Sequence, residues 1–189
     1  KPIIETIIKS FANYGFEEIV LCVNYKSHML EEFFGDGSRL GVNIEYVHED
    51  ERKGTAGALS LIKSTLDEPF FVMNADLLTN VNFDHLLEYH IANNASATMA
   101  VREYDFQVPY GVVNIENSRV TSIDEKPVHR FFVSAGIYLL QPDVLDFIPR
   151  DQFFDMPTLF EILIEKNKCV SSFPIREYWL DIGRLNDFE

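Results

Sequence analysis

The stretch FFVMNADLLTN, residues 70–80, decides how this sequence folds. Its four apolar residues, Phe70 to Met73, predict a short buried strand, and the chain then turns at Asn74-Ala75-Asp76. In an open α/β sheet, the carboxyl ends of parallel strands face the crevice where ligands bind, so Asp76 would meet a substrate or a metal. Asp is also common after a strand simply because it favours turns and caps the next segment. Taken alone, the stretch leaves both interpretations of Asp76 open.

Predicted helices and strands alternate around this strand. Apolar residues spaced three or four apart after Pro2 predict a helix that ends at Gly15. Further strands are predicted at 19–23 and 42–47, with helices at 27–34, after 54 and at 84–93. This alternation is typical of a doubly wound, mainly parallel sheet with helices on both faces.

From Thr98 onward the sequence becomes rich in β-forming residues. The turn Glu116-Asn117-Ser118 predicts a hairpin, and helices near 142–147 and 156–166 precede a final strand at 170–173. No linker, repeat or low-complexity tract divides the 189 residues. We therefore expect a single domain, residues 1–189.

Composition excludes several classes of partner. With 30 acidic residues against 16 Lys and Arg, the formal charge of −14 disfavours nucleic acids and anionic membranes. No apolar run approaches the roughly 18 residues of a membrane helix. Cys22 and Cys169 adjoin apolar runs, which predicts buried free thiols and a reducing cytoplasm. The five His residues show no zinc-binding spacing.

The segment GTAGA, residues 54–58, opens a predicted helix with small residues. Small residues let a ligand approach the backbone closely, and the free amides of a helix N-terminus favour an anion or a polar ring edge. Gly-Thr is also an ordinary way to begin a helix. The segment is therefore a weak ligand-loop signal by itself.

Two later segments carry charged residues beside turns. In SIDEKP, Glu125 could accept hydrogen bonds from sugar hydroxyls and Lys126 could neutralise a phosphate, although an exposed ion pair would look the same. In EYWLDIGR, Asp181 follows the only tryptophan. If Asp76 and Asp181 meet in space, their oxygens suit Mg²⁺, which usually keeps water and takes substrate phosphates as further ligands.

Six motifs in order, GTAGA, NAD, PYGVV, EKP, SAGIY and WLDIG, resemble the sugar-1-phosphate nucleotidyltransferase family over essentially the whole chain. The resemblance implies a Rossmann-like α/β/α sandwich with a mixed, mainly parallel sheet of the nucleotide-diphospho-sugar transferase type. It also implies Mg²⁺ and in-line attack of a sugar 1-phosphate on the α-phosphorus of a nucleoside triphosphate, with release of pyrophosphate. Positioning and charge neutralisation would then carry the catalysis.

The resemblance also implies roles for individual residues. Asp76 and Asp181 would bind the metal, and Lys126 would hold the sugar phosphate during catalysis. The other implied substrate contacts are the nucleotide pocket at Gly54, Thr55 and Ala56, the close approach of the sugar at Gly111, and sugar contacts at Glu125 and Ser134. Many members have Asn at the position of Ser134.

Two further departures from the family pattern matter. Ala75 stands where the family usually has Gly, so a positive φ there would be strained. The family's first strand and its GGxGTR triphosphate loop, with a following lysine, would precede Lys1. We therefore expect a domain truncated at its N-terminus, with the first strand missing, inactive by itself. We also expect copies of it to associate by strand addition, which makes a homo-oligomer.

Two rival functions remain open. A glycosyltransferase of the related fold would use a DxD metal motif, and here Asn74-Ala75-Asp76 provides one acid instead of two. A non-catalytic sugar-nucleotide-binding or regulatory subunit fits the missing loop. GTAGA resembles the guanylyl branch, which includes bacterial members of surface-glycan pathways, but the sequence decides neither base nor sugar.

Overall fold

The computed structural model describes residues 2–62 and 66–183. Its strands are β1 (Glu18–Val23), β2 (Asn43–His48), β3 (Phe70–Met73), β4 (Leu77–Thr79), β5 (Ala97–Gln107), β6 (Val112–Glu116), β7 (Arg119–Asp124), β8 (Val128–Leu140), β9 (Val170–Pro174) and β10 (Trp179–Asp181). Its α-helices are α1 (Ile3–Asn13), α2 (Ser27–Phe34), α3 (Gly54–Gly57), α4 (Phe83–Ala92) and α5 (Met156–Glu165). Short 3₁₀ helices cover Ser38–Leu40, Ala58–Leu61 and Pro142–Phe147.

The central sheet has the strand order β3-β8-β5-β9. Strand β8 is antiparallel to both of its neighbours, whereas β9 is parallel to β5. The α/β class and the mixed sheet are as predicted. The predicted predominance of parallel pairs is wrong for the described residues, because only β1–β2 and β5–β9 are parallel there. The β-rich part of the chain after Thr98 returns on itself through β5 and β8, which makes an antiparallel pair.

Helices cover both faces of this sheet. Alternate residues of β8 point to opposite faces, so Ile137 packs against α1 and α4, while Tyr138 packs against α5. On the first face, Phe11 of α1 stacks on Phe83 of α4 with ring centroids 4.3 Å apart. The predicted α/β/α sandwich is confirmed.

Strands β1 and β2 form a separate parallel pair beside the central sheet. Ile19 of β1 packs in the same apolar cluster as Phe71 of β3, and the Phe16 and Phe71 rings are 5.1 Å apart. Within the described residues, β1 pairs only with β2, and β3 only with β8. Each of these two neighbouring strands therefore has one edge without a described partner.

Local turn chemistry follows the sequence closely. Pro2 is the N-cap residue of α1, and Gly15, which follows the C-terminal end of that helix, has φ 81°. Asn117 and Ser118 both have positive φ, at 48° and 64°, as a tight hairpin turn between β6 and β7 requires. These predictions are confirmed.

The predicted burial of both thiols is wrong, because Cys22 and Cys169 are exposed. Cys22 lies on β1, and partial desolvation, followed by the charges of Glu49 and Glu45, raises the pKa of its thiol to about 11. Cys169 precedes β9, and its thiol donates to the Asn93 carbonyl at 3.5 Å. Among the described helices, none is long and apolar enough to cross a membrane.

Candidate active site

The turn after β3 places Asp76 beside Asp181. Strand β4 follows the turn and pairs antiparallel with β10, so that Leu77 lies opposite Asp181. One residue further on, the Ile182 amide donates to the Asp76 carbonyl at 2.9 Å. Backbone hydrogen bonds therefore join two segments that are far apart in the sequence.

The two carboxylates converge on Gly183. A Cβ atom on this glycine would lie 2.8 Å from Asp76 Oδ2 and 3.2 Å from Asp181 Oδ1. The Gly183 amide donates to Asp181 Oδ1 at 2.9 Å and so holds that side chain in place. The sequence predicted the pair of acids. It did not predict that Gly183 keeps the space between them open, because a glycine two residues after Asp looks like an ordinary turn.

Three contacts hold β10, the strand that carries Asp181. The Trp179 indole donates to the Ala135 carbonyl at 2.8 Å, and the Arg102 guanidinium lies 5.8 Å from the centre of the Trp179 ring. Arg102 also donates to the Glu177 carbonyl at 3.1 Å. Sequence reasoning missed Arg102, and no local pattern marks it.

The NAD and SAGIY motifs interlock next to the acids. The Asn74 amide donates to the Gly136 carbonyl at 2.9 Å. Gly136 has φ 68°, and a Cβ there would lie 2.9 Å from both Asn74 Nδ2 and Leu77 Cδ1. Ala75 does not have a positive φ, so its replacement of the family glycine causes no strain of that kind.

The donor set of this site suits a hard divalent cation. Two carboxylates flank one open point, and the described residues contain no cluster of three or more His, Cys, Asp or Glu that could bind a metal. Mg²⁺ usually binds one or two carboxylates and fills its remaining positions with water and substrate phosphates. The residues present therefore fit Mg²⁺ held between Asp76 and Asp181.

A second group of predicted residues lies at the base of the β6–β7 hairpin. A Cβ on Gly111 would lie 3.1 Å from Glu125 Oε2 and 3.5 Å from Ile123 Cγ2, so Gly111 and Glu125 are neighbours. Lys126 is exposed, has φ 46° and has no carboxylate partner among the described residues. Non-glycine residues in this left-handed conformation are strained and cluster at functional sites.

Ser134 lies on β8 and is the first residue of the SAGIY motif. Its hydroxyl is 2.9 Å from the Tyr138 hydroxyl and accepts the Gly136 amide at 3.3 Å. Burial raises the pKa of Tyr138, and its hydrogen bond with Ser134 opposes that shift. Ser134 therefore connects two residues of the SAGIY motif while remaining exposed itself.

Three amides at the start of α3 are not free, contrary to the expectation from GTAGA. The Thr55 amide donates to Asp155 Oδ1 at 3.0 Å. The amides of Ala56 and Gly57 both donate to the Phe154 carbonyl, at 3.0 and 2.8 Å. These groups are satisfied within the chain, because the segment before α5 packs against them.

Accessible surface also differs along this loop. Ala56 is fully buried in the core around α5, with 0% exposure, so its side chain presents no surface to a ligand. Gly54 and Thr55 remain accessible. Of the three residues predicted to form a nucleotide pocket, Gly54 and Thr55 are therefore the two that could contact a nucleotide directly.

The structure thus brings the predicted residues together in three groups. Asp76 lies with Asp181, Gly111 lies with Glu125, which Lys126 follows in the chain, and Gly54 is adjacent to Thr55. Ala56 is buried, and Ser134 contacts Gly136 and Tyr138. Within the described residues, no side-chain hydrogen bond or ion pair connects one group to another.

Comparisons with known proteins agree on a family. A family model described as nucleotidyl transferase matches residues 1–189. Mannose-1-phosphate guanyltransferases from Yarrowia lipolytica and Saccharomyces cerevisiae are 36% and 34% identical to the chain, covering 100% of it and 54% of each relative. The chain therefore spans about half the length of these curated relatives.

Solved structures share the fold. HddC from Yersinia pseudotuberculosis superposes with a TM-score of 0.72 at 22% identity, over 100% of this chain and 83% of that one. A putative glucose-1-phosphate thymidylyltransferase from Bacillus anthracis, in complex with a sucrose, gives 0.72 at 18% identity over 96% and 77%. HddC has also been solved complexed with GMP-PN, and that structure gives 0.72 at 21% identity over 99% and 82%.

Proposed function

The chain belongs to the nucleotidyl transferase family, and from this membership we propose that it is the catalytic domain of a sugar-1-phosphate guanylyltransferase. The reaction joins GTP and a hexose 1-phosphate into a GDP-sugar and releases pyrophosphate. The similarity to mannose-1-phosphate guanyltransferases and the GMP-PN complex of HddC support the guanine nucleotide. The sugar proposed first for testing is mannose 1-phosphate, by the same similarity.

The observation that carries the proposal is the convergence of Asp76 and Asp181 on Gly183. Nucleotidyl transfer brings together a triphosphate and a sugar phosphate, both anionic. A chain with a formal charge of −14 needs cations to bind them side by side. A dicarboxylate site that suits Mg²⁺ meets this requirement, and it would have no such purpose in a purely structural turn.

The residues of the chain would divide the chemistry between them. Asp76 and Asp181 would hold Mg²⁺, which when bound neutralises developing charge on the phosphates. Lys126 would bind the phosphate of the sugar, and Glu125 would accept hydrogen bonds from its hydroxyls. The absence of a side chain at Gly111 would let the sugar approach that carboxylate. The sugar phosphate oxygen attacks the α-phosphorus, and the bond to the pyrophosphate oxygen breaks.

Several further assignments belong to the same proposal. We assign the enzyme to the cytoplasm, where nucleotide sugars for surface-glycan synthesis would be made, and regard residues 1–189 as one domain. Two of its apolar clusters share Ile19, which supports a continuous core. Self-association is proposed because β1 and β3 each have an edge without a described partner.

A pyrophosphate-release screen of the full-length protein tests the function. Four nucleoside triphosphates are combined with mannose, glucose and glucosamine 1-phosphates, with and without Mg²⁺. Mg²⁺-dependent release with GTP and mannose 1-phosphate is expected. Tight binding of a GDP-sugar without release under any condition would indicate a non-catalytic binding subunit. Transfer of the sugar from a GDP-sugar to an acceptor would indicate a glycosyltransferase.

A further inference from the structure

Residues 151–155, with the sequence DQFFD, pack directly against the loop of residues 53–57. We call these segments the clasp and the glycine loop. The Phe154 amide donates to the Lys53 carbonyl at 2.7 Å, and the Phe154 carbonyl accepts the amides of Ala56 and Gly57. The two backbones therefore satisfy each other's polar groups over several consecutive residues.

Thr55 and Asp155 cap each other's helices. Asp155 Oδ1 accepts hydrogen bonds from the Thr55 amide at 3.0 Å and from the Thr55 hydroxyl at 3.3 Å. The same hydroxyl accepts the amide of Met156, the first residue of α5, at 2.8 Å. Each side chain thus satisfies an amide that its partner's helix leaves without an intrahelical acceptor.

The clasp explains both glycines of the GTAG sequence. Gly54 has φ 77°, and a Cβ there would lie 2.6 Å from Asp155 Oδ1 and 2.7 Å from the Phe154 carbonyl oxygen. A Cβ on Gly57 would overlap the Gln152 carbonyl oxygen. The contact between the clasp and the glycine loop therefore requires these glycines, whether or not a ligand does.

An ion pair anchors the other end of the clasp. The Lys53 ammonium lies 2.9 Å from Asp151 Oδ1, and the Lys53 residue is only 8% exposed. The Asp151 amide also donates to the Ser60 hydroxyl at 3.0 Å. The clasp is thus attached to residues on both sides of α3.

The geometry points to Asp155 as a positioning residue for nucleotide binding, which acts through Thr55 to hold the accessible residues Gly54 and Thr55 in the conformation that binds the nucleotide. This inference rests on the proposed function, together with the nucleotide pocket that the motif resemblance implies at Gly54 and Thr55. Helix α3 has only four residues, too few to be stable by themselves, so its shape depends on the clasp. A loop that already has its ligand-binding conformation loses less conformational entropy when the ligand binds.

The test measures the KM for GTP, the KM for the sugar phosphate and the binding of GTP alone, in the full-length protein. Asp155→Ala removes the acceptor of Thr55, and Thr55→Val removes the hydroxyl at nearly constant volume. In each variant the KM and Kd for GTP should rise about tenfold, with the KM for the sugar phosphate within about twofold of its original value. In the double variant the two effects on GTP binding should be less than additive, because both substitutions remove the hydrogen bond between the Thr55 hydroxyl and Asp155.

Two conservative variants separate positioning from direct contact. Asp155→Asn keeps an acceptor oxygen but removes the charge, so GTP affinity should largely recover. Thr55→Ser keeps the hydroxyl and should also bind normally. As a matched control, Asp143→Ala removes an exposed aspartate that pairs with Lys168 at 3.1 Å and should leave both KM values unchanged.

The outcomes distinguish this inference from the proposed function. Equal increases in both KM values, or a lower Tm with unchanged GTP binding, would show that the clasp only stabilises the fold and would overturn the inference. If Asp155→Asn is as defective as Asp155→Ala, the charge itself acts and the inference is wrong. If the unmodified protein binds GTP without releasing pyrophosphate, the transfer function fails, yet weaker GTP binding by the variants would still support the clasp. Absence of any GTP binding overturns both.

Discussion

Gly183 lies against Asp76, so that a Cβ atom on the glycine would be 2.8 Å from Asp76 Oδ2. Asp181 Oδ1 lies 3.2 Å from the same point. The space between the two acids therefore exists only because residue 183 has no side chain. Gly183 does not have a positive φ, so a larger residue here would be excluded by contact with the two carboxylates and not by backbone strain.

Gly183→Ala should weaken metal binding, because its methyl group would displace one carboxylate. We expect the Mg²⁺ concentration for half-maximal pyrophosphate release to rise about tenfold, which corresponds to about 1.4 kcal/mol. Gly15→Ala is the contrasting control, since Gly15 has φ 81° and no atoms within 4 Å of the added Cβ. It should lower Tm and leave the Mg²⁺ dependence unchanged. The same Mg²⁺ dependence in Gly183→Ala would argue against the site.

Asp76→Asn and Asp181→Asn should chiefly lower kcat. Each variant keeps the shape of the side chain and loses the charge that would hold the cation, so a loss of about 100-fold or more is expected. Steady-state kinetics and thermal unfolding, measured on the same preparations, check this. A large drop in Tm with normal turnover would show that these acids only shape the turns.

Lys126→Ala should weaken the binding of the sugar phosphate more than that of the nucleotide. Lys126 is an exposed ammonium without a described carboxylate partner, in a strongly acidic chain, so a phosphate monoester is its natural partner. A rise of about tenfold in the KM for the sugar phosphate is expected. Lys168→Ala, which removes a surface ion pair with Asp143, is the control. Equal losses of affinity for both substrates would show that Lys126 does not act specifically on the sugar phosphate.

Stability should fall in mild acid because of His90, which is fully buried on α4. Its Nδ1 lies 2.7 Å from Thr98 Oγ1 and its Nε2 lies 3.2 Å from Gln141 Nε2. Gln141 Nε2 can only donate, so the neutral ring accepts through Nε2 and carries its proton on Nδ1. Burial lowers the pKa of His90 below its ordinary value of 6.5.

The direction in which pH changes the free energy of unfolding follows from proton linkage. The unfolded chain takes up a proton at His90 near pH 6.5, whereas the folded chain does so only at lower pH. The free energy of unfolding should therefore decrease as pH falls below about 6.5, by up to about 1.4 kcal/mol per pH unit. Urea unfolding at several pH values measures it. His90→Gln should reduce this slope.

Copies of residues 1–189 should associate with one another in solution. The edges of β1 and β3 without described partners expose amides and carbonyls that strand addition would satisfy. Light scattering over a range of protein concentrations checks this. A monomer at all concentrations would contradict the expectation of association through these edges.

Sequence alone was sufficient wherever the cause is local. Pro2 and Gly15 mark the two ends of α1, and the positive φ values of Asn117 and Ser118 allow a hairpin turn. Steric limits on single residues decide these features. The motif order likewise identified the family and the two acids. Local patterns could not predict that β8 runs antiparallel between β3 and β5, since pairing depends on which strand returns beside which.

What the sequence by itself determined, then, is the α/β class, the element types and which residues have suitable chemistry. Only the tertiary structure decided which of them meet. Asp76 reaches Asp181 through the pairing of β4 with β10, and Thr55 meets Asp155 across 100 residues of sequence. These contacts form because the packed core brings distant segments together and satisfies their backbone groups, and no periodicity along the chain encodes such a meeting.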